Sequence, residues 1–161
     1  MFRACVPAMW RRSGWMALGL SVAALVAAPA VARGQQAAQN QRLFPNDGGM
    51  ILNFVKPDKT ADFEEVMAKL KEALRKSEKP ERKQQAASWK VFKSPEPAGA
   101  NALYVFVIDP SVKGADYSVA NILAEAFPPA EVNDLYKKFA DAYAQGQNIV
   151  NLSIIQDLGK P

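Results

Sequence analysis

Along residues 50–74 the spacing of hydrophobic side chains changes from the period of a strand to that of a helix. Residues 50–55, MILNFV, are apolar on both faces except for one amide, Asn53, and predict a strand that is buried on both sides. The following KPDKT interrupts this run, and Thr60 is placed to act as a helix N-cap. One apolar stripe at helical spacing then predicts the helix, and it consists of Phe63, Val66, Met67, Leu70 and Leu74.

The period returns to that of a strand after this helix. Pro80 in the segment 77–83 predicts the end of the helix, and residues 86–93, AASWKVFK, then predict a second strand. Its alternation places Ala87, Trp89 and Val91 on one face. The turn formers of SPEPAGAN follow, and residues 102–109, ALYVFVID, predict a third strand with apolar residues on both faces.

The last third of the chain predicts two short helices and a final strand. Residues 117–127 have the pattern of a helix, and Pro128-Pro129 interrupts it. A second helix follows, for which Gly146 is a suitable C-cap. Residues 148–155, NIVNLSII, predict the fourth strand. The apolar stripe of the second helix consists of Val132, Leu135, Tyr136, Phe139 and Tyr143.

The predicted order β-α-β-β-α-β is that of an α+β, ferredoxin-like fold with an antiparallel sheet and helices on one face. Its usual strand order is 4-1-3-2, which makes the first and third strands central. Those are the two strands that are apolar on both faces, whereas the second and fourth carry polar residues such as Lys90 and Asn151, as edge strands do. The uncovered apolar face predicts a homodimer that packs sheet to sheet.

The N-terminus predicts export. Residues 1–32 combine three arginines, the apolar run WMALGLSVAALVAA and the small-x-small sequence Ala30-Val31-Ala32, which is the pattern of a cleaved signal peptide. The apolar run is shorter than the roughly 20 residues that span a bilayer, so no stable membrane span is expected after cleavage, and an uncleaved anchor is the alternative. Residues 33–47 are rich in Gln and predict a flexible linker, and residues 48–161 form a single domain. The expected location is periplasmic or extracellular, in a bacterium.

The residue types that are missing exclude several kinds of chemistry. The chain has no His, and its single cysteine, Cys5, lies within the predicted signal peptide. Thiol nucleophiles, disulfides, Cys/His zinc sites, His-ligated haem and Ser-His-Asp triads are therefore excluded within this chain. Carboxylates, Lys and Tyr remain for acid–base work. No metal site and no cofactor is predicted.

The charge is small but unevenly distributed. Without the three arginines of the signal peptide, the excess of basic residues falls from four to one, so nucleic acid is not an expected partner. The segment 69–93 nevertheless holds nine basic and three acidic residues. A solvated helix face and loop is the favoured interpretation. The alternative is a surface through which the domain contacts an acidic partner at the cell envelope.

The sequence resembles the dimeric α/β-barrel superfamily, and within it the antibiotic-biosynthesis-monooxygenase-like group. The resemblance rests on ILNFVKPDKTADFEEVMAKL, on SWKVFKS, and on LYVFVID before a helical segment in two parts. It implies a cofactor-independent monooxygenase, a haem-degrading enzyme or a protein without known activity. Asn53 matches the first-strand asparagine that positions substrate or oxygen in such enzymes, and Trp89 matches an assisting tryptophan. The helix histidine of the haem-degrading members has no counterpart, and Asn121 lies in that part of the helix.

The predicted site is a pocket between the sheet and the helices, beneath the Pro128-Pro129 break. The favoured function is an exported domain that binds a small apolar or aromatic ligand there. A cofactor-independent monooxygenase is one alternative, and the envelope interaction module is another. For each candidate residue a purely structural role is the competing interpretation: a hydrogen-bonded amide, core packing, or a phenol at the rim. The candidate ligand-binding residues are Asn53, Trp89, Tyr104, Tyr117, Ile122 and Phe127.

Overall fold

The structure is a computed structural model that describes residues 41–160, and it has the α+β architecture predicted from the sequence. The predicted signal peptide, residues 1–32, lies outside the described residues, as do residues 33–40 of the predicted linker. The elements run strand, two helices, two strands, two helices and a final strand. Their bounds are β1 Gly48–Val55, α1 Thr60–Lys76, α2 Pro80–Ser88, β2 Trp89–Lys93, β3 Ala102–Ile108, α3 Val119–Ala126, α4 Pro129–Ala142 and β4 Asn148–Leu152.

The four strands form one antiparallel sheet in the order β2-β3-β1-β4. β1 and β3 are therefore central, as their apolar pattern predicted, and β2 and β4 are the edges. This is the strand order of the ferredoxin-like fold, so the predicted fold class is confirmed. In the register, Ile51 is paired with Phe106 on one side and with Ile149 on the other, which puts these three side chains on the same face.

The core lies between the helices and the face of the sheet that they cover. Ile51, Val55, Phe106 and Ile108 point into it and are each at most 1% exposed. Opposite them lies the stripe predicted for the first helix, which is confirmed, and burial of each large side chain in such a core contributes about 1.5–3 kcal/mol. The buried residues of α1 are Phe63, Val66, Leu70, Ala73 and Leu74.

The segment before β2 is helical, so the second strand is shorter than predicted. Pro80 ends α1, as expected, but it also begins α2, because the first turn of a helix tolerates a residue without an N–H. The strand predicted from residue 86 therefore begins only at Trp89. Arg82 and Gln85 of α2 are buried against residues far along the chain, which a local pattern does not reveal.

The helix predicted over residues 117–127 is also shorter in the structure. α3 begins at Val119, so Tyr117 lies before the helix rather than in it. The predicted break at Pro128-Pro129 is present, and Pro129 is the first residue of α4. The fourth strand ends at Leu152 instead of continuing to residue 155.

Two predicted helix caps are not formed. α1 starts at Thr60 directly after a 3-10 turn at Pro57–Lys59, and no side chain caps its first turn. α4 ends at Ala142, because the backbone of Tyr143 is extended and forms a β-bridge with Val55. Gly146 therefore lies beyond the point at which the helix has ended.

The end of the predicted linker packs onto the domain. Phe44 is 1% exposed, and its ring centroid lies 5.3 Å from that of Tyr117. The backbone N–H of Arg42 donates to Asp116 Oδ1 at 2.7 Å. The prediction of a flexible linker over residues 33–47 is therefore wrong for its last residues, since one aromatic side chain in a polar segment is enough to anchor it.

Replacement of Gly49 by alanine is expected to lower the free energy of unfolding by about 2 kcal/mol, because it overpacks the core. A Cβ atom at Gly49 would lie 2.1 Å from the ring of Phe44, well inside van der Waals contact. Gly146→Ala is the matched control, since a Cβ atom there meets nothing within 4 Å. Urea denaturation of both variants measures the difference, and equal stability of the two would contradict the packing of Phe44 on β1.

Candidate functional site

Asn53 lies at the centre of a buried set of hydrogen bonds. Its side chain is 0% exposed. The amide nitrogen donates to the backbone oxygens of Ile51 and Tyr104, both at 3.2 Å. The amide oxygen accepts from the Tyr143 hydroxyl at 2.9 Å and from Gln147 Nε2 at 2.7 Å. Both donor positions and both acceptor positions of the amide are therefore occupied by this chain.

The partners of Asn53 connect three distant segments. Gln147 Nε2 also donates to the Tyr143 hydroxyl at 2.7 Å, and Arg42 Nη1 donates to Gln147 Oε1. Burial raises the pKa of the Tyr143 phenol, which keeps it neutral and able to donate to Asn53. These bonds join β1, the end of α4 and the segment before β1. We call Asn53, Tyr143, Gln147 and Arg42 the Asn53 cluster.

The structure does not bring the six predicted site residues together around an open pocket. Tyr117 is 1% exposed, and its ring packs 5.4 Å from that of Trp89, while Ile122 is 2% exposed in the core. Phe127, at the end of α3, is half-buried beneath Lys69 Nζ, which lies 4.9 Å from its ring centroid. Because Asn53 is fully buried, the expectation that it forms the floor of a pocket beneath the Pro128-Pro129 break is wrong in its geometry.

Tyr104 is the strand partner of Asn53, and its hydroxyl belongs to a separate set of hydrogen bonds. Its hydroxyl donates to Glu64 Oε1 at 2.5 Å, and Lys93 Nζ donates to the same oxygen at 2.9 Å. These two hydrogen bonds lower the pKa of Glu64, and the bond from Tyr104 has the larger effect. Burial and then the bond to Glu64 raise the pKa of Tyr104. The trio therefore rests as a carboxylate, a neutral phenol and an ammonium.

Among residues 41–160, the displaced pKa values of carboxyl, lysine and tyrosine groups all move away from neutral pH. The carboxyl pKa values are lowered, and the lysine and tyrosine pKa values are raised. A general acid or base near neutral pH needs the opposite displacement. At neutral pH these carboxylates, ammonium groups and phenols therefore keep their usual charge states.

A groove of about 480 Å³ lies between α1, α2 and the edge strand β2. Trp89 and Val91 form its sheet side, because they share the helix-covered face with their strand partners Ile108 and Phe106. Most of its lining residues are apolar, and the other two are the cations Lys71 and Arg75. Its other lining residues are Met67, Ala68, Leu70, Leu74 and Ala86.

Trp89 is the one predicted site residue that lines this groove. Its ring is held edge-on by Phe106, at 5.5 Å, and by Tyr117. Its indole Nε1 is buried and has no hydrogen-bond partner within the part of the chain that the structure describes. A buried N–H without a partner costs about 1–3 kcal/mol. Because this atom is shielded, Trp89 offers the groove apolar ring surface.

The basic segment 69–93 is largely neutralised by carboxylates of the same chain. Six of its nine cations are paired with Glu64, Glu72, Glu78, Glu125 or Glu131. Lys71, Arg75 and Lys90 have no such pair among residues 41–160. The segment therefore does not present a continuous basic surface.

A second buried polar group was not predicted from the sequence. Arg82 of α2 is 4% exposed and donates to Glu125 through Nε at 3.1 Å and Nη2 at 2.8 Å. Its Nη1 donates to Gln85 Oε1 and to the backbone oxygen of Asp116. The group is satisfied and joins α2 to α3, which indicates a structural role. The sequence signal for the helix α2 was its Pro-Glu-Arg start, since Pro is common in the first turn of a helix.

None of the helices within residues 41–160 has the length and apolar character needed to cross a membrane. Within the same residues there is no group of three or more His, Cys, Asp or Glu side chains placed to hold a metal ion.

Comparisons with known proteins yield a structural likeness but no family assignment. No family model and no curated protein matches the chain. A crystal structure from Caulobacter crescentus CB15, of a protein provisionally described as an antibiotic biosynthesis monooxygenase, is similar at 16% sequence identity and a TM-score of 0.42. The alignment covers 71% of this chain and 94% of that one. At this similarity it says nothing about activity, and the ferredoxin-like assignment rests on the strand order.

Proposed function

We propose that this chain is an exported domain that binds a small apolar or aromatic molecule in the groove between α1, α2 and β2. The observation that supports this most is the groove itself, which is lined mostly by apolar side chains, among them Trp89 and Val91. Its volume of about 480 Å³ is within the range of roughly 300–1,000 Å³ that is typical of small-molecule sites. The bound ligand would lie between a helix and the sheet, as the sequence suggested, but at the β2 edge.

The oxygenase alternative is disfavoured at the residue on which it depends. In that interpretation the Asn53 amide positions substrate or oxygen. The four hydrogen bonds of the Asn53 amide to its own chain leave it no free donor or acceptor for this task. The envelope interaction module is likewise disfavoured, because most of the cations of segment 69–93 are already paired.

A neutral apolar dye tests the groove. Nile red is expected to bind one site per chain, with a rise in emission, and Ala68→Phe is expected to weaken binding at least about tenfold by filling the groove. Ala68 is an exposed residue of α1 that lines the groove, so its replacement leaves the core intact. Ala140→Phe, on the exposed side of α4, is the matched control. Dye binding that Ala68→Phe leaves unchanged would contradict the proposal.

The proposal includes removal of the signal peptide, which the sequence predicts after Ala32. Protein recovered from the periplasm or the medium of the producing bacterium is expected to begin at Arg33. N-terminal sequencing measures this directly. Protein that retains residues 1–32 and sediments with the membranes would instead support the uncleaved anchor.

We further propose that a second copy of the chain covers the open face of the sheet. This face is largely apolar and lies on the side of the sheet opposite the helices. Its central residues include Leu52, Phe54 and Val105, and Phe92 at its edge is 50% exposed. An apolar surface of this kind usually marks a protein interface. An identical sheet is the partner that matches it in shape and polarity.

A further inference from the structure

We propose that the molecule bound in the groove is an organic acid, an apolar or aromatic body that carries one carboxylate. Lys71 and Arg75 would hold the carboxylate at the rim. This inference rests on the proposed function, because it names the class of ligand for the same groove. Lys71 and Arg75 of α1 were not among the candidate ligand-binding residues predicted from the sequence.

The two cations are placed together by the geometry of the helix. Lys71 and Arg75 are four residues apart in α1, so they lie one above the other on the same side, and both line the groove. Met67 and Leu74, on the same side of α1, line the groove beside them. The helix therefore presents an apolar surface and a pair of positive charges to one cavity.

The other cations of α1 behave differently. Lys69 pairs with Glu131 at 2.7 Å, and Lys76 pairs with Glu72 at 2.5 Å. Within residues 41–160, Lys71 and Arg75 form no ion pair, and none of the residues that line the groove is acidic. The chain therefore neutralises its α1 cations on either side of the groove and leaves two positive charges at the groove itself.

A carboxylate with an apolar body fits this distribution of charge and surface. The guanidinium of Arg75 can donate two parallel hydrogen bonds to a carboxylate, and Lys71 supplies a second positive charge. Trp89 and Val91 on the opposite side offer only apolar surface. A neutral ligand would use the apolar surface and leave both cations without a role, and a cationic ligand would be repelled.

Three probes of one skeleton test the head group. Isothermal titration calorimetry measures the affinities of 4-phenylbutyrate, 4-phenylbutanamide and 4-phenylbutylamine. The protein is used in the form that the producing cells release after processing. The acid is expected to bind at least about tenfold tighter than the amide, and the amine weakest. The preference for the acid is expected to shrink between low and high salt, because the cations are exposed.

Variants assign the preference to the two cations. In the double variant Lys71→Gln, Arg75→Gln the acid and the amide are expected to bind alike, with the affinity for the amide retained. Neither side chain has a partner among the described residues, so the fold should not depend on them. Lys137→Gln, a similarly exposed and unpaired cation of α4, is the control and should keep the preference.

The outcomes separate this inference from the proposed function. If the amide binds and the acid binds no tighter, the inference is wrong and the apolar groove remains. The inference is also wrong if the double variant keeps the full preference for the acid. If none of the three probes binds, the proposed function fails, and the inference fails with it.

Discussion

Replacement of Asn53 by alanine is expected to lower the free energy of unfolding by about 3 kcal/mol while leaving the affinity of the groove for its ligand unchanged. The substitution removes four hydrogen bonds in a fully buried position. It also removes one partner each from the half-buried Tyr143 hydroxyl and Gln147 amide, which adds to the loss. The substitution therefore lowers the stability of the fold, because it removes the central residue of the Asn53 cluster.

The measurement is urea denaturation together with dye binding to the same variant. Asn133→Ala, at an exposed position of α4, is the control and should change stability by less than about 0.5 kcal/mol. A variant Asn53→Ala that keeps full stability but no longer binds the dye would contradict this interpretation. It would show that the amide serves the ligand rather than the fold.

Asn53→Asp extends the test to pH. A carboxylate would place an acceptor 3.2 Å from the backbone oxygens of Ile51 and Tyr104, where the amide now donates. Burial and these carbonyls would raise the pKa of that carboxyl in the folded state. A raised folded pKa means that stability is present at low pH and is lost as the pH rises through it. The loss of stability in this variant relative to the wild type is therefore expected to be smaller at acid pH than at neutral pH.

Replacement of Val105 by glutamate is expected to dissociate the proposed dimer, with at least about a 100-fold rise in its dissociation constant. Val105 lies on the open face between its strand partners Leu52 and Phe92, near the middle of the sheet. In a sheet-to-sheet dimer the introduced carboxylate would be buried without a partner. In the separated chain it is only half-buried, so the fold should survive the change.

Sedimentation equilibrium at micromolar concentration measures the association. Tyr136→Glu is the matched control, because Tyr136 is 49% exposed on α4, away from the sheet, and its replacement should leave the dimer intact. Circular dichroism shows whether both variants are folded. A wild-type chain that sediments as a monomer at this concentration would contradict the proposed interface, whatever the variants do.

The topology could be predicted because alternation and helical spacing report which side of an element is buried. The residues of β1 and β3 are apolar on both faces, and this placed them at the centre of the sheet before any contact was known. The stripe that begins at Phe63 identified the helix-covered face in the same way. These patterns are local, and local patterns are what a single sequence records.

The details of the candidate site could not be predicted, because they depend on contacts between distant residues. The Asn53 amide oxygen accepts hydrogen bonds from Tyr143 and Gln147, about 90 positions later in the chain. The residues next to Asn53 in its own strand therefore could not reveal these partners. α2 is fixed by the bonds of Arg82 to Glu125, and only its last residues, 86–88, fell within the segment whose alternation predicted a strand. The groove exists because α1 and α2 meet at the β2 edge.

The binding groove is tested most directly by nuclear magnetic resonance of protein that begins at residue 33. Such protein contains Trp89 as its single tryptophan, so its indole N–H gives one resolved signal. On titration with 4-phenylbutyrate, that signal is expected to shift together with backbone amides of α1, α2 and β2. An unchanged Trp89 signal, with shifts confined to the open face of the sheet or to the Asn53 cluster, would contradict the groove as the binding site.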